Sequence, residues 1–383
     1  MSAATASVPA PALKTTSTAT GPHRPGGGGR DRYIDTLRVV ALVRVVTYHT
    51  VGWAWLPLVF PSMGVMFALA GSLVAASLDR APHGHYGVLR RRLRRLLLPL
   101  WAFGLVMVSV MLVHGWDSSG EGEAPSATLL LWLLPVGTPP ADALAQDWVL
   151  PLWYVRSYLW FLLLSPALLW LFRRWPVRTL LVPPALVLAQ ELSLLDFPGR
   201  GGDAVLSFGI FGACWLLGFA HHDGVLRRLP LRRVLPAGLA LMAVGAGVAL
   251  APGGGWDLDD LPLANTAYSL GFVLLLLRAY PDFSWMRRHR VLDGVVSAVN
   301  SRALTIYLWG NVAIAAATPL LDASPLAPWY RDDALGTALQ LAAAWCVIGL
   351  CVLAVGWVED LAARKRPRLL PWPSGVRVGR SGR

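Results

Sequence analysis

Long apolar runs dominate this sequence and constrain its fold more than any other feature. A helix needs about 20 apolar residues to cross the hydrocarbon core of a bilayer. Only 15% of the residues are charged, whereas soluble domains carry about a quarter. The sequence therefore predicts an all-α polytopic membrane protein with about ten transmembrane helices, in the runs 36–56, 58–78, 95–114, 149–172, 177–195, 204–221, 234–251, 261–280, 298–320 and 335–358.

Positive charges are concentrated in short clusters between the apolar runs, which is the pattern that sets membrane topology. If the N-terminus lies inside, the inner segments contain 30 of the 34 lysines and arginines. The outer loops instead carry acids such as Asp257 and Asp259. We therefore predict a multi-pass protein of the cell (plasma) membrane with both termini cytoplasmic. The net charge of +12 is explained by topology and does not indicate nucleic-acid binding.

The two ends of the chain differ in composition from the middle. Residues 1–30 are rich in Ala, Thr, Ser, Pro and Gly and lack the apolar stretch of a signal peptide, so we expect a disordered cytoplasmic tail. Residues 31–360 form the predicted transmembrane domain, and residues 361–383 form a basic cytoplasmic tail. A shorter apolar segment, 127–136, cannot span a bilayer and is predicted to be interfacial or re-entrant.

The cysteines and histidines are not spaced like metal ligands. Cys214, Cys346 and Cys351 lie inside apolar runs. His221 and His222 are adjacent, so their side chains point apart on a helix. We therefore predict no metal and no permanently bound cofactor.

The first helix carries ionisable residues on one face. Arg38 and His49 are eleven residues apart, which separates them by only about 20° around a helix and by roughly 16 Å along it. Asp35 lies within about 40° of His49. This stripe suits the wall of an aqueous or substrate-filled cavity, although a histidine that satisfies a neighbouring helix has the same pattern. Arg44 lies about 120° from Arg38 around the helix and is expected to make a structural contact.

Arg156 and Glu191 are two further ionisable residues within predicted spans. Such residues cost about 2.5–3.5 kcal/mol to insert at mid-bilayer, so each is a candidate for function. Both are placed in the outer halves of consecutive spans. They therefore form either a structural ion pair with each other or part of an acceptor site.

Five arginines between Arg90 and Arg95 precede the third apolar run. Guanidinium groups bind phosphates bidentately, so this cluster suits a polyphosphate ligand such as coenzyme A. Positive-inside signalling together with anionic lipid headgroups explains the same residues without a ligand. The charge pattern leaves both readings open.

These stretches together resemble the bacterial membrane acyltransferase 3 family, which acylates sugars and other hydroxyl acceptors. The first helix matches the family's Arg-x10-His pattern at Arg38 and His49, with Asp35 before the arginine. The further matches, in the family's order, are Met66-Phe67-Ala-Leu-Ala-Gly71, with Ala70 where Ser is common, Arg92-Leu-Arg94-Arg95, Leu152-Trp153-Tyr154 followed by Pro166, and Thr305-Ile-Tyr307-Leu-Trp309. The similarity covers roughly residues 30–360.

The resemblance implies a membrane O-acyltransferase that uses acyl-coenzyme A as a co-substrate. It would move an acetyl or another short acyl group to a hydroxyl of a sugar, glycan, lipid or secondary metabolite. His49 would act as general base or acyl carrier, two roles that remain open. The implied site residues are His49, Asp35 and Arg38 for catalysis, Arg92, Arg94 and Arg95 for coenzyme A, and Arg156, Glu191, Trp153 and Tyr154 for acceptor binding or structure.

One position departs from the family pattern. The family often has a histidine in a late Tyr-Leu-x-His motif, but here Trp309 is followed by Gly310. This departure keeps a catalytically silent membrane scaffold as an alternative function. A secondary transporter is the other alternative, although the sequence shows no inverted repeat.

Overall fold

The computed structural model describes residues 31–81, 84–117, 119, 124–197, 199–251, 255–330 and 334–369, and their regular structure is helical throughout. The helices are α1 (Arg32–Val51), α2 (Leu56–Val59), α3 (Ser62–Asp79), α4 (His85–Val113), α5 (Gln146–Val149), α6 (Leu152–Arg174), α7 (Pro176–Glu191), α8 (Gly199–His222), α9 (Val225–Arg228), α10 (Leu231–Leu250), α11 (Pro262–Ala279), α12 (Arg290–Ser301), α13 (Ala303–Asp322), α14 (Ala334–Val355) and α15 (Trp357–Ala362).

Each of the ten predicted apolar runs coincides with a long helix, and the prediction of an all-helical, multi-pass membrane protein is confirmed. Among the described residues, eight helices are long and apolar enough to cross a membrane. The other two runs form α1, which carries four charged residues, and α7, which has 16 residues. The count of about ten spans and the cytoplasmic termini stay predictions. The predicted disordered tail lies outside the described residues, as do residues 370–383 of the basic tail.

The segment 127–136 folds as a short 3₁₀ helix, Ala127–Trp132, followed by irregular chain. The Trp132 side chain is buried, and its indole N–H donates to the Pro140 carbonyl at 3.1 Å. A Cβ on Gly104 of α4 would lie 2.8 Å from the Trp132 ring, so the absence of a side chain at Gly104 makes room for the indole. The segment therefore packs against α4 and does not span.

The close crossing of α3 and α8 organises the core of the bundle. A Cβ on Gly71 would collide with the carbonyl oxygen of Trp215, and one on Gly218 would collide with that of Ala68. The two backbones approach this closely only because both positions are glycine. Beside the crossing, the buried Phe67 ring contacts aromatic rings of α6 and α8, among them Tyr154 at 4.8 Å and Phe211 at 5.0 Å between centroids.

The proposed ion pair between Arg156 and Glu191 is wrong. The buried Arg156 guanidinium donates to Thr138 Oγ1 at 2.7 Å and pairs with the Asp203 carboxylate of α8 at 3.4 Å. Glu191 is exposed at the C-terminal end of α7. Arg156 lies on the face of α6 that meets α8 and the loop before α5, so its partner comes from there. The expected structural contact of Arg44 is an ion pair with Asp259 at 3.7 Å.

Two short helices that the apolar runs did not separate, α12 and α15, pack at the end of the bundle where α1 begins, which we call the basic end. Arg32 of α1 pairs with Asp293 of α12 at 2.6 Å. The buried Arg302, between α12 and α13, pairs with Asp360 of α15 at 2.7 Å. These ion pairs fix α12 and α15 beside the entrance to the cavity described below.

Cysteine labelling tests the predicted topology. In a background without the three native cysteines, Ala124→Cys is expected to react with a membrane-impermeant maleimide added to intact cells. His85→Cys is expected to react only after permeabilisation, because it adjoins the arginine-rich segment. Both positions are exposed. Labelling of His85→Cys alone in intact cells would contradict the orientation.

Candidate functional site

A cavity of about 690 Å³ lies between α1, α3, α4, α6 and α13 near the basic end. This volume is within the range of about 300–1,000 Å³ that is usual for small-molecule sites. Its wall is strongly basic on one part and apolar or aromatic on another. The lining residues are Arg38, Met66, Ala70, Leu73, Ser77, Arg80, Arg91, Arg92, Arg95, Leu96, Tyr154, Tyr158, Ala303, Leu304, Tyr307 and Glu359.

Three of the five arginines on the cavity wall are available to bind a ligand. Arg80, Arg91 and Arg95 are exposed, and within the described part of the chain none of them has a hydrogen-bond or ion-pair partner. Among the described residues that line the cavity, Glu359 is the one carboxylate against five guanidinium groups. Such a surplus of fixed positive charge favours an anionic ligand.

Arg92 is held by the protein itself. Its Nη2 donates to the Leu73 carbonyl at 2.6 Å and to Ser77 Oγ at 2.8 Å, and its Nη1 donates to the Tyr158 hydroxyl at 3.3 Å. Arg92 therefore joins α4 to α3 and α6. It contributes charge to the wall but has few free donors.

Arg94 does not line the cavity, in contrast to its predicted role. Its Nε donates to the Ala362 carbonyl of α15 at 2.9 Å. On a helix Arg94 lies about 200° from Arg92, whereas Arg95 lies only about 60° from it. Arg92 and Arg95 therefore share the cavity face, together with Arg91, which sequence reasoning missed. Helical geometry alone does not exclude Arg94 from the cavity, because Arg94 lies only about 60° from Arg91.

Tyr154 and Tyr307 form the aromatic part of the cavity wall, and we call them the tyrosine pair. Their ring centroids are 5.0 Å apart, and both side chains are more than nine-tenths buried. Among the described residues, neither hydroxyl has a hydrogen-bond partner. The pair therefore presents two unused hydroxyl groups next to the space that a ligand would fill.

His49 lines a second, smaller space, which we call the histidine cleft. It measures about 20 Å³ and is lined by Leu42, Val45, Val46, His49, Pro151, Trp153, Tyr307, Gly310, Asn311 and Ile314. His49 is exposed, and neither ring nitrogen has a hydrogen-bond partner within the described residues. A histidine that satisfies a neighbouring helix would have such a partner. The imidazole is therefore free to exchange a proton with a ligand.

The structure divides the three predicted catalytic residues between different environments. Arg38 lines the basic cavity and donates to Asn300 Oδ1 at 3.4 Å, and His49 lines the histidine cleft. The buried Asp35 lines neither space. Its carboxylate pairs with Arg32 at 3.5 Å and its carbonyl accepts from Asn300. Asp35 thus holds α1 against α12 through this contact with Asn300, which is remote from His49.

Trp153 and Gly310 are the other sequence-predicted positions in the histidine cleft. The Trp153 ring is stacked on Phe211, with centroids 5.6 Å apart, so its orientation is fixed. A Cβ on Gly310 would meet nothing closer than Val46 at 4.0 Å. Glycine therefore widens the cleft at the position where relatives often carry histidine.

Glu359 is the carboxylate of the cavity wall. Its Oε1 accepts hydrogen bonds from the backbone N–H and the hydroxyl of Thr305, at 2.8 and 2.6 Å. Burial raises the pKa of Glu359 to about 7, despite these hydrogen bonds and the nearby Arg302. The charge of the cavity therefore changes near neutral pH.

A group with metal-ligand chemistry lies elsewhere, where α3, α6 and α8 end. Ligand atoms of Asp79, His222 and Asp223 come within 4.8 Å of one another. Arg173 donates to both carboxylates at 2.7–2.9 Å, and His222 Nε2 lies 2.9 Å from Asp79. Arg173 donates two hydrogen bonds to each carboxylate, so we interpret this group as an ion-pair network that joins the three helices.

Comparison with known proteins identifies one family. A family model for an acyltransferase domain, acyltransferase 3, matches residues 31–358. No curated protein and no solved structure matches the chain. The matched range contains the cavity arginines, the tyrosine pair and His49.

The free arginines of the cavity give the first prediction for this site. Arg91→Ala combined with Arg95→Ala is expected to weaken coenzyme A binding by ten- to a hundredfold or more, since each charge-assisted contact is worth about 1.5–3 kcal/mol. Arg90→Ala is the matched control, because Arg90 is exposed on the same helix outside the cavity. Isothermal titration in nanodiscs measures both. If the double variant and the control bind coenzyme A with equal affinity, the arginine cluster serves membrane topology and lipid binding instead of coenzyme A binding.

The raised pKa of Glu359 predicts a pH dependence. A carboxyl with a pKa near 7 is neutral at pH 6 and charged at pH 8, so the cavity loses net positive charge as pH rises. A unit charge about 10 Å away at an effective dielectric of about 30 changes binding by about 1 kcal/mol, or about fivefold. Coenzyme A affinity should therefore fall about fivefold more between pH 6 and 8 in the wild type than in Glu359→Gln.

The raised pKa of Glu359 also predicts how the stability of the protein depends on pH. Because folding raises the pKa of Glu359, its contribution to stability is complete below the pKa of an unfolded glutamate, near 4.3, and is lost as pH rises through about 7. Glu359→Gln should be less sensitive to pH over this window. Identical pH profiles of affinity and thermal stability in the two proteins would show that Glu359 does not titrate there.

Proposed function

The chain belongs to the acyltransferase 3 family, and from this premise we propose that it is a membrane O-acyltransferase that uses acyl-coenzyme A. The acyl group would pass from a cytoplasmic donor to a hydroxyl group of a sugar, glycan, lipid or secondary metabolite. The observation that carries the proposal is the meeting of two spaces at Tyr307. Tyr307 lines both the basic cavity and the histidine cleft.

The basic cavity suits the donor. Coenzyme A carries phosphates at one end and an acyl thioester at the other. The unpartnered guanidinium groups of Arg80, Arg91 and Arg95 would bind the phosphates, and the apolar and aromatic wall around the tyrosine pair would receive the thioester. The arginine-rich end is the predicted cytoplasmic side, where acyl-coenzyme A is made.

The histidine cleft suits the acceptor. The space of about 20 Å³ between Gly310, Trp153 and His49 would admit the acceptor hydroxyl itself, and the rest of the acceptor would lie outside it. The acceptor would approach from the end opposite the arginines. In a plasma membrane this is the outer side, which suits a glycan or an exported metabolite.

His49 acts as the general base in this proposal. Its neutral imidazole takes the proton of the acceptor hydroxyl while the oxygen attacks the thioester carbonyl carbon. The tetrahedral intermediate then expels the coenzyme A thiolate, which receives the proton from the imidazolium. The products are the acyl ester and free coenzyme A, and His49 returns to its neutral form.

Replacing His49 tests the proposed function. His49→Ala and His49→Gln are expected to reduce the transfer rate by about 10²–10⁴-fold, because a general base contributes that much. Coenzyme A affinity and melting temperature should remain at wild-type values, since His49 lines only the cleft and has no hydrogen bond to lose within the described residues. The matched control is His114→Ala, at an exposed position at the end of α4.

The same assay separates the alternatives. Purified wild-type protein in nanodiscs should release free coenzyme A from acetyl-coenzyme A in the presence of acceptor, whereas a transporter or silent scaffold would not. The expected loss leaves at most about a hundredth of wild-type turnover. If either His49 variant keeps more than about a tenth, His49 is not the general base.

A further inference from the structure

We propose that the hydroxyl of Tyr307 donates a hydrogen bond to the thioester carbonyl oxygen and stabilises the oxyanion formed during acyl transfer. This inference rests on the proposed function and assigns a catalytic role to a residue of α13. It is argued from the position of Tyr307, from its unused hydroxyl and from the chemistry of the step.

The position of Tyr307 on the walls of both spaces supports this role. Among the described residues, Tyr307 is the one that lines both the basic cavity and the histidine cleft. The donor occupies the first space and the acceptor the second, so the carbon–oxygen bond must form where the two spaces meet. A thioester carbonyl that reaches this boundary lies against the Tyr307 side chain.

The hydroxyl group of Tyr307 also supports this role. Tyr307 is 8% exposed, and its hydroxyl has no hydrogen-bond partner among the described residues. The hydroxyl oxygen is not among the fully buried, unpartnered side-chain atoms of the described residues, so it faces open space that a ligand can enter. Tyr33 differs, since its hydroxyl donates to the Leu276 carbonyl at 2.8 Å. A ligand atom that reaches Tyr307 can therefore accept its hydrogen bond without displacing a described protein partner.

The chemistry of the step needs a donor at this place. When the acceptor oxygen attacks, the C=O π electrons move to the carbonyl oxygen, which becomes negatively charged. The O–H of Tyr307 holds this oxygen until the C=O bond reforms and the C–S bond breaks. The electron pair of the C–S bond leaves with the thiolate, and no proton is transferred from Tyr307. A hydroxyl fixed in a water-poor site is effective in this role.

Arg38 is the competing donor, and its placement favours another role. It lines the basic cavity but not the histidine cleft, and its guanidinium donates to Asn300 on α12. Arg38 is therefore placed to contact the donor molecule away from the reacting carbon. Tyr154 also lines the basic cavity alone, so Tyr307 is the better placed member of the tyrosine pair.

The test is Tyr307→Phe, which removes one oxygen atom and keeps the ring. The transfer kcat is expected to fall by about a hundredfold or more, as for the loss of one oxyanion donor. The Kd for coenzyme A and the melting temperature should stay near wild-type values, because the hydroxyl has no partner to lose among the described residues. Tyr33→Phe is the matched control, and it should retain wild-type kcat although it removes a buried hydrogen bond.

The outcomes separate this inference from the proposed function. Wild-type transfer together with a Tyr307→Phe kcat within threefold of wild type would overturn the role of Tyr307 and leave the acyltransferase intact. A wild type that binds no coenzyme A and shows no transfer would overturn both. If Tyr307→Phe does not fold, 3-fluorotyrosine at position 307 keeps size and hydroxyl while making the phenol more acidic. An unchanged kcat in that protein would also overturn the inference.

Discussion

The need to neutralise buried guanidinium groups shapes this bundle more than any other interaction. An arginine does not lose its charge at accessible pH, and an unpaired buried charge costs several kcal/mol. Carboxylates on distant segments accordingly pair with the buried Arg44, Arg156 and Arg302 and with the partly buried Arg32. Each pair connects a helix of the bundle to a surface helix, loop or helix end, and the pairs are Arg32–Asp293, Arg44–Asp259, Arg156–Asp203 and Arg302–Asp360.

The cavity arginines are in a different position, because they are exposed and need no carboxylate. Arg80, Arg91 and Arg95 lack partners in the described chain, and the nearby acids Asp293 and Asp360 are already paired with Arg32 and Arg302. The protein thus maintains a basic surface inside a concave space instead of neutralising it. Its aromatic wall continues to Tyr307, behind which His49 lies with both ring nitrogens unpartnered by described residues. The proposed acyl transfer would use this arrangement, in which unpartnered guanidinium groups and an imidazole line two spaces that share one tyrosine.

The lengths of the apolar runs predicted the long helices, because bilayer thickness imposes a length on each span, and the motif resemblance indicated the family. Helical periodicity predicted which residues share a helix face. It also placed Arg38 and His49 on one face of α1, and both line spaces that meet at Tyr307. It failed for Arg156, whose partner Asp203 depends on which face of α6 meets α8. Spacing within a helix is readable from sequence, whereas contacts between helices depend on rotation and depth, which sequence does not give. Arg94 is a similar case, since it lies only about 60° from Arg91 on α4 and yet contacts the Ala362 carbonyl of α15 and does not line the cavity.

The central claim is that one donor molecule extends from the cavity arginines to Tyr307. An electron cryomicroscopy structure with a non-hydrolysable thioether analogue of acetyl-coenzyme A tests it most directly. The account predicts density for the phosphates beside Arg91 and Arg95 and for the acyl end against Tyr307, with His49 across from it. Density for the analogue at another surface, or an empty cavity at saturating analogue, would contradict the account.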